Sequence, residues 1–579
     1  MGGTYLKRFF SAVIIFTGVG FAPEAVTRDV NSAPFFSAKQ PQVGKSHTGH
    51  YLAGRQAEKM RDFSAASRYL QRALKYNPDN IQLLKRTFLS TLAGGNLASA
   101  VPLARRLVTT SSPSMIANLV VVIDEIRLSR LDDANNALNA FPDGALGGLV
   151  KPLLRAWILA GQGREGRALT ELDHLKKRPG LRVLYELHAG LLSDFAGNSD
   201  IAARHYKGAF ENGGHSILRV VQGLGRHFER TGQAERAKTV YEAYMREYPG
   251  SVVLRESLAR IDSGIIPSLL VTNTKEGVAE ILFNISTTMD RENTPRLALI
   301  FLRLATYLRP DLDVAYMLIG GILNSLNRYD DAILAYRQVP AASPLNWSAR
   351  LKVADSFEAL GRDEDAIKIL QSLVAEGVTR PGPLVSLGDL LRSNKKFVEA
   401  IDAYSRALNV VGTIDQRHWT ILYSRGIALE RSRQWKLAEK DFQRALELNP
   451  EQPYVLNYLG YSWVDQGINL ARARKMIERA VKLRPNDGYI VDSLGWLLFR
   501  LQDFEGAVGN LERAVELRPQ DPIINDHLGD AYWRVGRYVE ARFQWRRVLL
   551  LKPDPGQVSV IEIKLLRGLI EPVTLEKDG

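Results

Sequence analysis

Apolar residues recur along the chain with helical spacing, in short blocks divided by polar turns. That period places an apolar stripe on each of many successive helices. The blocks come in pairs. The first block of a pair carries a small residue midway. The second carries an Ala near its start, a large apolar residue four places on, and often a Pro past its end. From His47 onward these are Gly54, Ala66, Leu70, Ala73 and Pro78. Small residues at such places let two helices approach closely, and the large residue fills the gap to the next pair. The Pro stops the second helix, because it has no N–H to continue the ladder.

The pairing recurs at an interval of about 34 residues. Gly95 and Ala100 mark the next unit, and Ala134, then Gly163 with Ala168, mark weaker ones. Gly190, Gly197, Ala202, Tyr206 and Ala209 mark a clear one, as do Gly225, Gly232, Ala237, Tyr241 and Pro249. The phase breaks at Ser263-Gly264-Ile265-Ile266-Pro267, which does not suit a helix interior. It resumes near Ala279, with Ala298, Ala305 and Pro310. Gly320 and Ala332, Gly361 and Ala366, Gly388 and Ala400, and Gly426 and Ala438 mark regular units from there.

The last three units open on Asn457-Tyr458-Leu459-Gly460-Tyr461, Asp492-Ser493-Leu494-Gly495-Trp496 and Asp526-His527-Leu528-Gly529-Asp530. The last of them continues with Ala541, Trp545, Val548 and Pro553. This resembles the tetratricopeptide (TPR) pattern, a helix-turn-helix unit that buries its apolar face only by stacking on neighbours. The resemblance implies an all-α, right-handed TPR solenoid of about fourteen repeats. The arrays are expected over 47–262 and 279–553, with an irregular break at 263–278. Val558 to Leu569 reads as a capping helix, within a cap and tail at 554–579. The unit from Pro453 to Asp487 carries one extra residue, around Gly467-Ile468-Asn469.

In TPR proteins the first helix of each unit lines an inner groove. The resemblance places Asn457, Tyr461, Asp492, Trp496, Asp526 and Asp530 on that face, with Phe499 and Trp533 one turn further on. Aromatic rings with flanking hydrogen-bonding groups are how peptide grooves gain affinity. For Trp496 and Trp533, groove and core readings both stand. Trp435, Trp463 and Trp545 are expected to be packing residues. Asp492 and Asp526 stand where some TPR domains hold a terminal carboxylate with Lys and Asn, so carboxylate clamping is not expected there.

Lys7-Arg8 followed by an apolar run from Phe9 to Ala22 reads as an export signal within residues 1–25, cleaved or kept as an inner-membrane anchor. The run is short of the ~20 residues a spanning helix needs. Residues 26–46, with Pro34, Pro41 and Gly44, read as a flexible linker. The formal charge of +13 raises nucleic acid as a partner. Both signs are mixed throughout, however, so a solvated basic surface is the better reading. The absence of cysteine excludes thiol catalysis, disulfides and Cys-based metal sites.

His47-Thr-Gly-His50 lacks a nearby acid to complete a metal site. There is no phosphate loop and no nucleophile elbow. No stretch outside the repeats is long enough for a catalytic domain. The chain therefore reads as a non-enzyme that binds other proteins or peptides without a cofactor.

From Leu422 to Pro553 the three phrases, in this order near the end of a long array, resemble a group of bacterial envelope TPR proteins. Its members are lipoprotein adaptors for a periplasmic carboxyl-terminal processing serine protease and its substrates. The resemblance implies a periplasmic scaffold that binds such a protease and its clients. The alternative is a general assembly factor for outer-membrane, cell-wall or exopolysaccharide machinery. Without a cysteine, N-terminal lipidation is impossible, so any membrane attachment must come from residues 9–22.

Overall fold

The computed structural model describes residues 46–569, apart from 111–113, 143, 177, 179, 290–293 and 378–379. Residues 1–45, which include the export-signal reading and nearly all of the linker, lie outside the described residues, as do 570–579. The described residues form thirty α-helices and no strand. No helix among them is long and apolar enough to cross a membrane. The chain divides into two compact units, residues 1–369 and 370–579. The irregular stretch at Ser263–Pro267 thus lies inside the first unit.

The first unit opens with six helical pairs. These are α1 (His47–Lys59) and α2 (Phe63–Tyr76), α3 (Ile81–Ala93) and α4 (Leu97–Val108), and α5 (Met115–Arg127) and α6 (Leu131–Asn139). Then come α7 (Ala145–Gly161) and α8 (Glu165–Lys176), α9 (Arg182–Phe195) and α10 (Ser199–Glu211), and α11 (Leu218–Arg230) and α12 (Ala234–Glu247). A single helix, α13 (Val252–Asp262), ends the series. Side-chain caps start several of these helices. Ser46, Asp62, Asn80, Asn96 and Ser114 each accept a hydrogen bond from a backbone N–H three residues on, satisfying a donor the helix leaves open.

After α13 the chain runs without helix to Asn273, and α14 (Thr274–Thr288) begins five residues before Ala279. It pairs with α15 (Pro295–Leu308). This hairpin, expected to begin a second array, packs back across the first one. α14 lies against α5, α7 and α9, and α15 lies against α3, α4 and α5. Every residue from Gly277 to Ser286 is buried. The helices packed around it leave α14 no face for water, and its buried polar side chains Glu280 and Asn284 are paired with Arg219 and His188. Gly277 is required, because a Cβ there would fall 2.3 Å from the Trp157 ring. The hairpin is also pinned by polar contacts. Arg219 donates to both Glu280 oxygens at 3.1 and 2.6 Å, Arg309 reaches the same carboxylate at 3.3 Å, and the Tyr307 hydroxyl donates to Asp124 at 3.1 Å. Two further pairs, α16 (Asp313–Ser325) with α17 (Tyr329–Tyr336) and α18 (Asn346–Ala359) with α19 (Asp363–Ala375), follow; α19 straddles the division between the units.

The second unit is regular. It holds α20 (Gly382–Ser393) and α21 (Phe397–Val411), α22 (Trp419–Arg431) and α23 (Trp435–Leu448), and α24 (Pro453–Gln466) and α25 (Leu470–Leu483). α26 (Gly488–Arg500) and α27 (Phe504–Leu517), then α28 (Pro522–Arg534) and α29 (Tyr538–Leu550), complete fourteen pairs over the described chain, and α30 (Pro555–Arg567) packs on α29. Each pair is locked by a small residue on its first helix beneath a large one sixteen positions later. A Cβ on Gly426 would meet Phe442 at 2.6 Å, and one on Gly529 would meet Trp545 at 2.5 Å. Gly460 instead packs under Ile477, one position further, because the extra residue adds length at the turn. Gly467 and Asn469 absorb it in left-handed conformations.

Candidate functional site

In the second unit the first helices of successive pairs touch one another, α20 with α22, α24 with α26, and α26 with α28. Tyr423 and Tyr458 join α22 to α24 through their rings, which makes the face continuous. Its aromatic residues are half-buried: Tyr423 on α22, Tyr454, Tyr458 and Tyr461 on α24, Trp496 and Phe499 on α26, and Trp533 on α28. Tyr423 meets Tyr458 edge-on, with ring centres 6.1 Å apart. The Tyr458 hydroxyl donates to Glu430 at 3.1 Å. Burial, with Asp492 and Asp465 nearby, pushes the Tyr461 phenol well above its usual pKa, so it stays a neutral hydrogen-bonding group.

Trp496 is the centre of the face. Its ring stacks on Phe499 at 4.9 Å and on His527 at 4.1 Å, both nearly parallel. Its indole Nε1 is sealed from solvent and has no hydrogen-bond partner, and the same holds for the side-chain oxygen of Asn457. Each such atom costs about 1–3 kcal/mol while unpaired. A donor and an acceptor are therefore left wanting on two neighbouring helices of one face.

The three acidic positions that the sequence places on the inner face are all paired within the chain. Asp492 is buried and accepts from His527 Nδ1 at 3.0 Å. Burial opposes charge on that imidazole, but the carboxylate of Asp492 prevails and raises the His527 pKa. Asp526 and Asp530 both hold Lys564 of α30, at 2.7 and 2.9 Å. Asp530 also accepts from Trp545 Nε1 at 3.0 Å. Burial, then Asp526, lift the Asp530 carboxyl to about 6 even against the Lys564 ammonium. The repulsion expected to bar a carboxylate is thus offset by His527 and Lys564. The His was visible in the Leu-Gly phrase but carried no signal of its pairing. Lys564 lies 34 residues beyond Asp530, in the cap.

Trp533 packs on Trp545, with centres 5.4 Å apart, and a Cβ on Gly568 would overlap its ring. The cap therefore covers this end of the face, and Trp533 serves packing there. Trp463 and Trp545 are fully buried, while Trp435 is half-buried at the start of α23. The face that the structure leaves half-open runs from α22 to α26, with Asn457, Tyr461, Trp496 and Phe499.

Family models described as Tetratricopeptide repeat match residues 51–115, 323–381 and 493–558, 419–452 and 223–251. No curated protein matches the chain. Among solved structures, the Cut9–Hcn1 hetero-tetramer of the APC/C is similar over 90% of this chain and 96% of that one, at 15% identity and TM-score 0.37. A tetratricopeptide repeat protein of Parabacteroides merdae covers 44% of this chain and 97% of its own, at 15% identity and TM-score 0.37. PilF of Pseudomonas aeruginosa covers 32% and 82%, at 18% identity and TM-score 0.28.

Proposed function

Starting from an all-α array of tetratricopeptide repeats, we propose that this protein is an interaction scaffold whose second unit takes a partner segment along α22–α26. The repeat fold is a protein-binding architecture without catalytic parts of its own. The observation that carries the placement is the half-buried aromatic row containing two sealed, unpaired polar atoms, Trp496 Nε1 and Asn457 Oδ1. A small side-chain shift on binding lets a peptide carbonyl accept from the indole and a peptide N–H donate to the amide, while the rings supply apolar contact.

The finer reading is that of a bacterial envelope adaptor for a periplasmic carboxyl-terminal processing protease and its substrates. It rests on the sequence resemblance of residues 422–553 and on the signal-like residues 7–22. The test is affinity capture from envelope extract on the full chain, compared with Trp496→Ala and with Tyr461→Ala. The reading expects an envelope protease on the native chain and at least tenfold less on Trp496→Ala, with helicity unchanged. Recovery of synthases or outer-membrane assembly proteins in its place transfers the reading to an assembly factor. Fractionation of the full chain to the cytoplasm ends the envelope assignment.

A further inference from the structure

The first unit contains a cleft of about 650 Å³ between the α3–α4 turn and the helices α15–α17. Its volume is that of a small-ligand site. On one side stand Gly94, Gly95 and Asn96, leading into the first turn of α4. Asn96 caps that helix by accepting from Ser99 N–H at 3.0 Å. The N–H groups of Leu97 and Ala98, which also line the cleft, have no acceptor within the helix. They and the helix dipole favour negative charge.

On the other side stands Arg303 of α15. Its guanidinium lies over Gly95, where a Cβ would fall 2.9 Å from both Cζ and Nε. Gly95 is also left-handed, with φ of +88°, so two independent constraints require glycine. Arg303 Nε is sealed from solvent and has no hydrogen-bond partner. Burial lowers the pKa of this guanidinium, although Asp331 and then Tyr316 support its charge. Asp331, the carboxylate in the cleft wall, is held by Arg328 at 3.0 and 2.9 Å and does not form an ion pair with Arg303. Arg328 in turn binds Asp62 at 2.9 Å. A half-buried cation without an ion-pair partner, its Nε sealed and unbonded, is costly by itself, and it shares the cleft with a helix start.

We propose that this cleft is a binding site for a small oxyanion-bearing ligand, a carboxylate or a phosphate, held between the Arg303 guanidinium and the N–H groups that open α4. The guanidinium fork offers the two-pronged geometry that either oxyanion accepts. Tyr307 and Tyr316 in the wall leave room for the apolar or ring-bearing remainder of the ligand. The site exists only because α15 folds back against the α3–α4 turn, so it belongs to the tertiary structure of the first unit.

The experiment is isothermal titration of the full chain with inorganic phosphate and, separately, with succinate, at an ionic strength held constant with sodium chloride. Saturable binding of either anion is expected, with at least tenfold weaker binding by Arg303→Gln. The anion that binds identifies which source the site prefers. Gly95→Ala, which displaces the guanidinium, is expected to weaken binding similarly. No binding of either anion to the native chain overturns the proposal, and so does Arg303→Gln binding within twofold of it. Should Arg303→Gln fail to fold, Arg303→Lys decides. It keeps the charge without the fork, so a several-fold loss supports the site and native affinity overturns it.

Discussion

The two units use the same repeat face in opposite ways. In the first, the face made by α3, α5, α7 and α9 is covered by the chain's own α14–α15 hairpin. In the second, the corresponding face from α22 to α26 keeps half-buried aromatics and two unpaired polar atoms. The difference lies in what each face is paired with. Asp124, His188 and Arg219 of the first unit are matched by Tyr307, Asn284 and Glu280 of the hairpin. Among the described residues, the face of the second unit is covered by another segment of the chain at its end, where Lys564 pairs with Asp526 and Asp530. A repeat face can thus become core or remain a surface, depending on whether a complementary segment of the same chain reaches it.

The largest effect expected from this comparison is at Glu280, whose side chain is 1% exposed and paired with two arginines. Glu280→Ala leaves the buried Arg219 without its carboxylate, while Arg309 keeps Asp311 at 3.6 Å, and should cost roughly 3–5 kcal/mol. Urea unfolding should show the first unit melting earlier, with the second unchanged. A loss under about 1 kcal/mol would show that the hairpin is held by apolar packing alone.

Lys564→Met is the matching change in the second unit. It leaves Asp526 and Asp530 facing each other and should cost roughly 2 kcal/mol. Protease cleavage within α30 is the readout, since the cap should open before the repeats do. Unaltered cleavage would mean that Ile561, in the core beneath the cap, holds it without the ion pair.

The pH response should separate the units in sign. Burial holds His188 down to about 3, between the Trp157 Nε1 donor and the Asn284 amide. Below pH ~6.5 the unfolded chain takes a proton that the folded one refuses, so this site loses stability as pH falls from there towards 3. His527 has a raised pKa. Its contribution is complete below ~6.5 and lost as pH rises through the folded value. Unfolding followed separately in each unit should show His188→Asn flattening the acid limb of the first, and Asp492→Asn flattening the alkaline limb of the second. The same slope in both units would remove the contrast.

The smallest effect concerns the turns. Arg61 in the first unit and Arg433 in the second adopt left-handed backbone, with φ of 56° and 63°. An L side chain there costs about 1–2 kcal/mol relative to Gly, partly offset by the greater flexibility of unfolded Gly. Each change to Gly should raise stability by about 0.5 kcal/mol, equally in both units, as a rise in urea midpoint. Inequality would indicate that the turn contacts differ.

The repeated phrases made the helices and their pairing legible, and the helical spacing of Val558 to Leu569 the cap, because each rests on neighbours close in sequence. Gly529 under Trp545 is sixteen residues away, and such a contact leaves a periodic trace. The same phrases assembled Asn457, Tyr461, Asp492 and Trp496 on one face. They did not indicate that His527 would occupy Asp492, or that Lys564 would close over Asp526 and Asp530.

What the sequence determined by itself was the repeat architecture, an all-α series of paired helices. What only the tertiary structure decided was which inward face stays accessible. The His188–Asn284 contact spans 96 residues, and Tyr307–Asp124 spans 183. Complementarity over such separations depends on where the break at Ser263–Pro267 sends the chain, and helical periodicity holds no record of that path.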